Sequence, residues 1–383
     1  MMNDPIKTGV VGLGVVGRSR SQTIARETPG AALSAVCDHD AKALAWAQSE
    51  FGDETMRCSM FEEMLAEVDA VFIATPHSSH PSLAIQAFAA GKHVLIEKPA
   101  GISPGPVRAM NAAAEKAGAV FGIHFQHRYK GVNKLVHDLI HSGEIGSVRR
   151  INWIITTWFR SQHYFNTGGW RATWEGEGGG VLLNQAPHQL DLWQWFFGMP
   201  HRMRAFCYNG KYHDIETEDE ATLFMEYKNG TTGVFITSTA ENPGTDRLEI
   251  VAERGKVVVE NGKVTYQRLK ESVQHALGTT RSVAWGGPVW DVQMKVPESA
   301  GSPIADWIDA IQKGETSPRV TPGVSGLNEC LLASGAIKST WDDNWVDLEH
   351  FDDAEYERQL QERIETSSFV KPELVSPNFD EKY

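Results

Sequence analysis

The first third of the chain alternates short apolar runs with segments of helical periodicity. The apolar runs predict strands at 7–13, 32–37, 68–74, 93–96 and 119–123. The periodic segments predict helices at 15–26, 41–51 and 81–90. Strands that alternate with helices of about 10–15 residues indicate βαβ units, whose right-handed crossovers build a parallel sheet. We therefore expect an α/β domain over residues 1–127.

After about residue 145 the pattern changes to that of an antiparallel sheet. Runs rich in β-branched and aromatic residues follow at 148–159, 221–227, 232–239, 248–252 and 256–260. The turn signals between or after these runs are Asn229-Gly230, Arg254-Gly255 and Asn261-Gly262. This pattern predicts an α+β domain over residues 128–365 with a large, mainly antiparallel sheet. Its helices are expected at 181–197, 303–313 and 324–341.

The run at 151–159 hints at assembly, because as a strand it carries bulky residues on both faces. On one face lie Trp153, Ile155 and Phe159, and on the other lie Ile154 and Trp158. A strand that is apolar on both sides is covered on both sides. Helices and a second subunit would provide that cover in a homo-oligomer, and complete cover within one chain is the alternative. Residues 366–383 are predicted to form a loose or partner-wrapping tail.

Composition and charge limit which classes of partner, which cellular location and which cofactors are expected. At 383 residues the chain is long enough for two domains of about 100–200 residues each. Its formal net charge of −13 disfavours nucleic acid and anionic membranes as partners, since both need a basic face. The N-terminus has no signal-peptide pattern, no long apolar stretch occurs and the four cysteines are scattered, so a cytoplasmic protein without a membrane span is expected. The histidine pairs His77/His80 and His124/His127 have no evident third ligand, so no catalytic metal is expected.

A glycine motif directly follows the first predicted strand and opens the first predicted helix. It reads Gly12-Leu13-Gly14-Val15-Val16-Gly17. In such a motif the first glycine allows a tight turn, the second lets the backbone approach a pyrophosphate, and the third allows the helix to pack closely on the strand. The helix N-terminus adds N–H groups and the positive end of its dipole. We therefore expect residues 12–16 to bind a dinucleotide.

The kind of dinucleotide is indicated by Asp38, which ends the second predicted strand. A carboxylate at this place accepts hydrogen bonds from the adenine-ribose hydroxyls and repels a 2′-phosphate. His39 comes next and no arginine is nearby in the sequence to hold such a phosphate, so NAD is expected rather than NADP. The alternative interpretation of Asp38 is a cap of the following helix.

Three later segments indicate which residues carry the chemistry of the site. They are Thr75-Pro76-His77 with His80 after the third strand, Glu97-Lys98-Pro99 at the end of the next strand, and Gly178-Gly179-Gly180 before a helix with Asn184 and His188. The first segment lies at the sheet edge where the cofactor ribose would bind, and Glu97 is expected on the same side. Asn184 and His188 are four residues apart, so they share one face of their helix.

Together these segments resemble the glucose–fructose oxidoreductase / inositol dehydrogenase family (Gfo/Idh/MocA) over nearly the whole chain. The resemblance implies a Rossmann domain followed by an open-faced sheet domain, assembled as a homodimer or homotetramer. It implies oxidation or reduction of sugars, sugar derivatives or cyclitols with NAD(P). It also implies that Lys98 lies beside the nicotinamide and that His188 touches the reacting hydroxyl. Asn184 departs from the family, since many members have aspartate there.

Further candidates are expected along the approach to this site. The segment 125–129 resembles the family's arginine-containing crossover, which makes Arg128 a candidate contact of the cofactor or substrate. Tyr164, Arg171 and Trp174 precede the triple glycine in a long irregular stretch of the kind that forms binding loops. Tryptophan faces with arginine and tyrosine donors suit a small polyhydroxylated substrate. Ordinary loop packing is the alternative for each of these side chains.

Alcohol oxidation requires a base near the hydroxyl and a carbon held against the nicotinamide. A histidine suits this role with a pKa near ~6.5, and burial beside cationic nicotinamide would lower the pKa of a lysine from ~10.4. Either His188 or Lys98 can therefore be the base. Asn184 orients a partner but adds no charge, which favours His188 as the base and Lys98 as anchor and proton donor.

Two other functions fit the same motifs. One is a redox-neutral, NAD-dependent enzyme that cleaves glycosides by transient oxidation, elimination and reduction. The other is a non-catalytic NAD-binding regulator. The presence of both Lys98 and His188 argues against a regulator, because a binding module needs neither.

Overall fold

The N-terminal part of the chain forms a six-stranded parallel sheet in the order β3-β2-β1-β4-β5-β6. The computed structural model describes residues 4–284, 286–314 and 319–373. The strands are β1 Ile6–Val11, β2 Ala31–Cys37, β3 Met56–Cys58, β4 Ala70–Ile73, β5 His93–Ile96 and β6 Phe121–Ile123. The helices are α1 Val15–Glu27, α2 Ala41–Phe51, α3 Phe61–Glu67, α4 His80–Ala89, α5 Pro104–Ala117 and α6 Gly131–His141. The predicted parallel α/β arrangement is confirmed, and the three-residue edge strand β3 was not predicted.

Helices cover this sheet on both faces, which explains its continuous apolar strands. All four residues of β4 are fully buried, as are Val94, Leu95 and Ile96 of β5. One covering helix ends at Gly118, which adopts a left-handed conformation with φ of 62° and thereby caps α5. No helix in the described part of the chain is both long enough and apolar enough to cross a membrane.

The second part of the chain forms a nine-stranded sheet in the order β14-β13-β12-β11-β7-β10-β9-β8-β15. Its strands are β7 Val148–Ile155, β8 Arg202–Asn209, β9 Glu218–Glu226, β10 Thr232–Ser238, β11 Asp246–Ala252, β12 Gly255–Glu260, β13 Lys263–Leu269, β14 Val289–Met294 and β15 Val346–Asp347. The β7–β10 pair is parallel and the other pairs are antiparallel, so the predicted mainly antiparallel sheet is confirmed. Asn261 and Gly262 have φ of 50° and 71°, which a two-residue type I′ hairpin requires.

Eight further helices lie in the described residues of the second part of the chain. They are α7 Gln162–Asn166, α8 Trp174–Glu177, α9 Val181–Asn184, α10 Pro187–Phe197, α11 Val273–Thr279, α12 Pro303–Lys313, α13 Gly323–Trp341 and α14 Asp353–Thr366. The helix predicted over 181–197 is broken before Pro187, whose nitrogen has no hydrogen to donate. Helix α13 contacts α5 on one side and β8 and α10 on the other.

Helix α12 was predicted within the second domain, and in the structure it packs on the sheet of the first part of the chain. Trp307 is fully buried, and its indole Nε1 donates to the carbonyl of Val120 at 3.4 Å. Ile304 and Ile308 join a core cluster with apolar side chains of β1, β4 and β5. The chain therefore returns to the first sheet, because that sheet has an apolar face left to cover. The division at residue 128 and the separate tail from 366 remain predictions.

Strand β7 shows which part of the expected two-sided apolar run lies in the sheet. Trp153 and Ile155 are buried, and the ring of Trp153 stacks on Phe196 of α10 at 6.2 Å. Ile154 points to the other face and is half-buried. The strand ends at Ile155, so the assignment of Trp158 and Phe159 to its two faces is wrong.

The tail was expected to be loose or to wrap a partner, and its described residues instead contact their own chain. The Ser367 hydroxyl bonds the carboxylate of Glu216. The Nζ of Lys371 donates to the carbonyls of Phe165 at 2.5 Å and Gly168 at 2.8 Å. Residues 374–383 lie outside the described part of the chain.

Candidate functional site

A cleft of about 960 Å³ runs along the carboxyl edge of the parallel sheet and is closed on its other side by the second domain. Ligands of open α/β sheets bind at this edge. Near one end the cleft is lined by the glycine turn and Asp38. Near the other it is lined by Lys98, Asn184 and His188, so the residues predicted for cofactor and chemistry share one cavity.

The glycine turn has the geometry that a bound pyrophosphate needs. Gly12 has a φ of 88°, and a Cβ there would lie 2.8 Å from the backbone of Ala74. A Cβ on Gly17 would lie 1.7 Å from the carbonyl oxygen of Gly12, so only glycine lets helix α1 pack this closely. A Cβ on Gly14 would meet nothing within 4 Å. The backbone at Gly14 is therefore open to a ligand in front of the N-terminus of α1.

Asp38 lines the cleft beside this turn, with 11% of its side chain exposed. Its carboxylate accepts from the N–H of Leu13 at 2.6 Å and from the N–H of Asp40 at 2.8 Å. The cap of α2 is Asp40, which accepts from the N–H of Lys42, so Asp38 does not have that role. Arg18 was not foreseen here, and its Nε donates to the carbonyl of Leu13 at 3.1 Å.

The other predicted cofactor residues divide into those that line the cleft and those that support it. Lining residues are Val15, Val16, Thr75, Pro76, His77, Glu97 and Lys98. His80 is fully buried outside the lining, and its two ring nitrogens contact the carbonyl oxygens of Pro99 and Thr75, each at 2.8 Å. His80 thus joins the ends of two neighbouring strands. Leu13 is buried and contributes its N–H to Asp38.

Arg128 and Trp174 were expected to contact a ligand, and neither lines the cleft. The guanidinium of Arg128 forms a two-point ion pair with the fully buried carboxylate of Asp191, at 2.8 and 2.5 Å. Burying that carboxylate requires a cation beside it, which explains where Arg128 is held. Trp174 is 5% exposed and packs edge-on against Trp341 at 5.6 Å.

Lys98 projects from the end of β5 into the contact between the two domains. Its Nζ donates to the backbone carbonyl of Asn184 at 2.7 Å. Burial lowers the pKa of Lys98 below its ordinary value, although the carboxyl groups of Glu97, Glu329 and Glu177 act in the opposite direction. The ammonium therefore has a fixed acceptor and loses its proton more readily than an exposed lysine.

Glu97 precedes Lys98 and is anchored from the other side. Its carboxylate accepts from Arg20 Nε at 2.8 Å and lies 3.3 Å from the Nδ1 of His124. Burial alone would raise the pKa of Glu97, but His124 and Arg20 together lower it below the ordinary value. Glu97 also accepts from the N–H of Lys98 at 3.3 Å, so it helps to position the lysine.

His188 lines the cleft and stacks on a second imidazole. Its ring centroid lies 4.2 Å from that of His127, with 23° between the planes. Burial lowers the pKa of His188 well below its ordinary value, and the charges of His127 and Lys98 lower it further. Its Nδ1 is buried and has no hydrogen-bond partner among the described residues. The ring is therefore neutral at neutral pH.

Asn184 does not hydrogen-bond His188 in the structure, although the two were expected on one helix face. Its amide Nδ2 donates to the carboxyl group of Glu177 and to the hydroxyl of Tyr164, the latter at 3.4 Å. Glu177 is 1% exposed and also accepts from the N–H of Ala172 at 2.7 Å. Burial raises the pKa of Glu177 to about 7. The sequence analysis missed this carboxyl group, whose only local signal is its place directly before the triple glycine.

The loop before the triple glycine forms the second-domain wall of the cleft. Tyr164 lines it and accepts from Arg171 Nη1 at 2.8 Å and from Gln185 Nε2 at 3.2 Å. Arg171 also lines it, as expected from the sequence. Further lining residues, which the sequence did not predict as site residues, include Gln126, His127, Trp158, Arg160, Trp170 and Gln185. The sequence gives little indication that these residues line a site, because each of them is of a type that is common in cores and loops.

Both domains match models of one family. Residues 6–125 match an oxidoreductase family model described as an NAD-binding Rossmann fold, and residues 133–258 match the Gfo/Idh/MocA C-terminal domain. The chain belongs to the Gfo/Idh/MocA family. The predicted resemblance is thereby confirmed, and so is NAD as the cofactor of the Rossmann domain. This Gfo/Idh/MocA protein is an NAD-binding oxidoreductase.

Similar proteins cover most of its length. D-apiose dehydrogenase of Paraburkholderia graminis is 24% identical, over 89% of this chain and 89% of that protein. The scyllo-inositol 2-dehydrogenase (NAD(+)) of Bacillus subtilis is 23% identical, over 84% of this chain and 90% of that protein. The crystal structure of the WlbA dehydrogenase from Bordetella pertussis with NADH and UDP-GlcNAcA is 26% identical, with a TM-score of 0.74 over 90% of this chain and 98% of that one.

The one group of potential metal ligands found among the described residues is separate from the cleft. It consists of Asp347, Glu349 and His350, all exposed. Of the histidine pairs considered from the sequence, His80 has both ring nitrogens against backbone carbonyls.

Lys371 is expected to hold the substrate-side loop in place, because its ammonium bonds two carbonyls of that loop. Lys371→Met should increase the exchange rate of loop amides 163–172 by about 10- to 100-fold, the effect of losing hydrogen bonds to a charged group worth ~1.5–3 kcal/mol. Burial lowers the pKa of Lys371 to about 8. As the pH rises above 8, the ammonium of Lys371 loses its proton. The protection of the loop amides from exchange in the wild type should therefore fall towards that in Lys371→Met.

Hydrogen–deuterium exchange on the full chain at pH 7 and pH 9 measures this effect. Lys116→Met, at an exposed position of α5, is the matched control and should leave loop exchange unchanged. Equal exchange rates in wild type and Lys371→Met at pH 7 would show that the lysine does not stabilise the loop.

Proposed function

We propose that this protein transfers a hydride between nicotinamide and a secondary alcohol of a sugar, sugar derivative or cyclitol. One observation carries the proposal: Lys98, Asn184 and His188 line the same cleft as the glycine turn and Asp38. The relatives named as D-apiose and scyllo-inositol dehydrogenases support this substrate class. Incubating the protein with NAD and a panel of sugars, cyclitols and glycosides tests it, and NADH absorbance that rises with none of them would contradict it.

The residues present fit the cofactor. Residues 12–16 and the first turn of α1 would hold the pyrophosphate, because the backbone at Gly14 is open and helix α1 begins directly after it. Asp38 would accept hydrogen bonds from the adenine ribose. Thr75 and His77 would lie along the ribose and nicotinamide half. When bound, NAD supplies the acceptor for the hydride.

The proton of the alcohol needs an acceptor that is unprotonated at neutral pH. His188 meets this condition, since burial lowers its pKa well below the ordinary value. Burial also lowers the pKa of Lys98, but the neighbouring carboxylate of Glu97 acts in the opposite direction and favours the ammonium form. In the proposed reaction the hydroxyl proton passes to His188 as the carbon loses its hydride and the C–O bond becomes a carbonyl. Lys98 donates a hydrogen bond to the same oxygen and Asn184 orients the substrate.

The cleft also suits a polyhydroxylated ring. Trp158 and Trp170 offer flat apolar surfaces, and the amide groups of Asn184 and Gln185 offer donors and acceptors nearby. A sugar or cyclitol needs this combination because its C–H face is apolar and its rim is polar. The alternative functions, glycoside cleavage without net redox change and NAD-dependent regulation, have no separate observation in their favour.

The carboxylate of Asp38 is expected to set the preference for NAD over NADP. Asp38→Ala removes the acceptor for the ribose hydroxyls and the charge that repels a 2′-phosphate. The difference in binding free energy between NAD and NADP should therefore decrease by about 1–3 kcal/mol. Calorimetric titration with each dinucleotide measures it. Asp40→Ala, two residues away and exposed, is the control and should leave the ratio unchanged. NADP binding that is equal to or tighter than NAD binding in the wild type would contradict this assignment.

Both proposed proton-handling groups should be needed for turnover. Lys98→Met and His188→Ala are expected to lower kcat by about 10²–10⁴-fold, the range for a lost acid–base group. A base is lost as the pH falls through its pKa, so the acidic limb of kcat/KM should lie below pH ~6.5 and disappear in His188→Ala. His163→Ala, at an exposed position of α7, is the control. An acidic limb that persists in His188→Ala would assign the base to Lys98 instead.

The open face of the second sheet supports assembly into a homodimer or homotetramer, which we also propose. Ile154 pairs with Ile236, and Phe224 pairs with Val234, on the face away from α10. All four are only partly buried in the single chain. A second copy of the chain would cover them and remove apolar area from water. Light scattering that finds a single 42.4 kDa species at micromolar concentration would contradict this proposal.

A further inference from the structure

Asn184 is held by hydrogen bonds of both its backbone and its side chain. Its carbonyl accepts from Lys98 Nζ at 2.7 Å. Its amide Nδ2 donates to the carboxyl group of Glu177 and to the hydroxyl of Tyr164, the latter at 3.4 Å. The amide oxygen Oδ1 receives no hydrogen bond from any described residue, and it is not buried. Because Asn184 lines the cleft, this oxygen is open to a ligand.

The direction of the Asn184 amide is set by Glu177, which is 1% exposed and lies behind the residues that line the cleft. Glu177 Oε2 accepts from the N–H of Ala172 at 2.7 Å, and Glu177 Oε1 accepts from Asn184 Nδ2. An ionised carboxylate can only accept, so the amide must turn its nitrogen towards Glu177 and its oxygen away. Burial raises the pKa of Glu177 to about 7, so the ionised form prevails above that pH.

The local backbone brings these two side chains together. Glu177 ends α8 and Asn184 ends α9, and the three glycines at 178–180 lie between the two short helices. A Cβ on Gly180 would clash with the carbonyl oxygen of Glu218, so the turn approaches β9 more closely than any other residue allows. The glycine turn therefore fixes where Asn184 stands relative to Glu177.

An amide oxygen in a fixed direction binds only a ligand group that donates a hydrogen bond. In a sugar or cyclitol a free hydroxyl donates, whereas an ether oxygen or a carbonyl does not. We propose that Asn184 Oδ1 accepts a hydrogen bond from a free substrate hydroxyl close to the reacting carbon, and that Glu177 is the positioning residue that imposes this requirement. A substrate substituted at that hydroxyl would be excluded. This inference rests on the proposed function, because it concerns the substrate of the same cleft.

A scan of fluorinated ligands tests the need for a donor. The ligands are D-glucose, D-galactose, D-mannose and myo-inositol, each compared with derivatives in which a single hydroxyl is replaced by fluorine, which cannot donate. Each is added to the NADH-loaded protein at pH 8, where Glu177 is mostly ionised, and binding is followed by calorimetry. Replacement of the hydroxyl that faces Asn184 is expected to weaken binding by about 10- to 100-fold, because the amide oxygen then loses its partner.

Two variants assign this effect to the amide. In Glu177→Gln the side-chain oxygen would stay with the N–H of Ala172, so the side-chain nitrogen would face Asn184 and reverse its amide. The affinity ratio of hydroxyl to fluorine should then fall to within about threefold at one ligand position and stay unchanged at the others. Asn184→Leu, which removes the amide, should reduce the same ratio. A general loss of structure would weaken all ligands and would not change one ratio alone.

Glu175→Gln is the matched control, because it removes a carboxylate from an exposed position of the same helix and should change no ratio. The scan of the wild type needs no variant, so it tests the donor requirement even if Glu177→Gln does not fold. Fluorine tolerated within threefold at every position would overturn the proposal. So would ratios that are the same in wild type, Glu177→Gln and Asn184→Leu, or a failure of all four parent compounds to bind.

Turnover separates this inference from the proposed function. If the parent compounds reduce NAD and no hydroxyl-to-fluorine ratio depends on Glu177 or Asn184, the dehydrogenase activity stands and the acceptor role of Asn184 is wrong. If one ratio depends on both residues and no ligand reduces NAD, the acceptor role stands and the proposed reaction is wrong.

Discussion

The hydrogen bond from Lys98 Nζ to the carbonyl of Asn184 joins the two domains at the centre of the proposed chemistry. Lys98 stands at the end of a strand of the parallel sheet, and Asn184 ends a short helix that packs on the antiparallel sheet. The lysine loses hydration on burial, and the carbonyl replaces part of that hydration. Both residues line the cleft, so this contact lies where the cofactor side of the cleft meets the substrate side.

Carboxyl groups with shifted pKa values lie around this contact. Burial raises the pKa of Glu329, which is fully buried and has no hydrogen-bond partner for either oxygen among the described residues, well above its ordinary value. Burial also raises the pKa of Glu177 to about 7, whereas Glu97 stays ionised because Arg20 and His124 pair with it. The ionised carboxylate of Glu97 favours the charged form of Lys98, while burial of the ammonium disfavours it. The balance of these opposing effects decides its protonation state.

The asparagine at position 184 has a structural explanation in this setting. Its amide donates to the buried carboxyl group of Glu177. An aspartate, as in many members of the family, would bring a second carboxyl group against Glu177 in a buried place, and two such groups would have to share a proton. The buried carboxyl group of Glu177 thus favours an amide rather than a second carboxyl group at position 184. A carboxyl group is therefore present beside position 184, but it belongs to Glu177, seven residues earlier in the chain.

The sequence by itself determined the parts of this protein that follow from local rules. The alternation of apolar runs and helices, the three glycine roles in residues 12–17 and the Asn261-Gly262 turn depend on periodicity and backbone sterics within a few residues. Only the tertiary structure decided that Arg128 pairs with Asp191, that Trp307 returns to the first sheet, and that Lys371 reaches the substrate-side loop. These partners lie 63 to 203 residues apart, so local rules do not identify them, and burial of a charge or of an apolar face in the folded protein selects them.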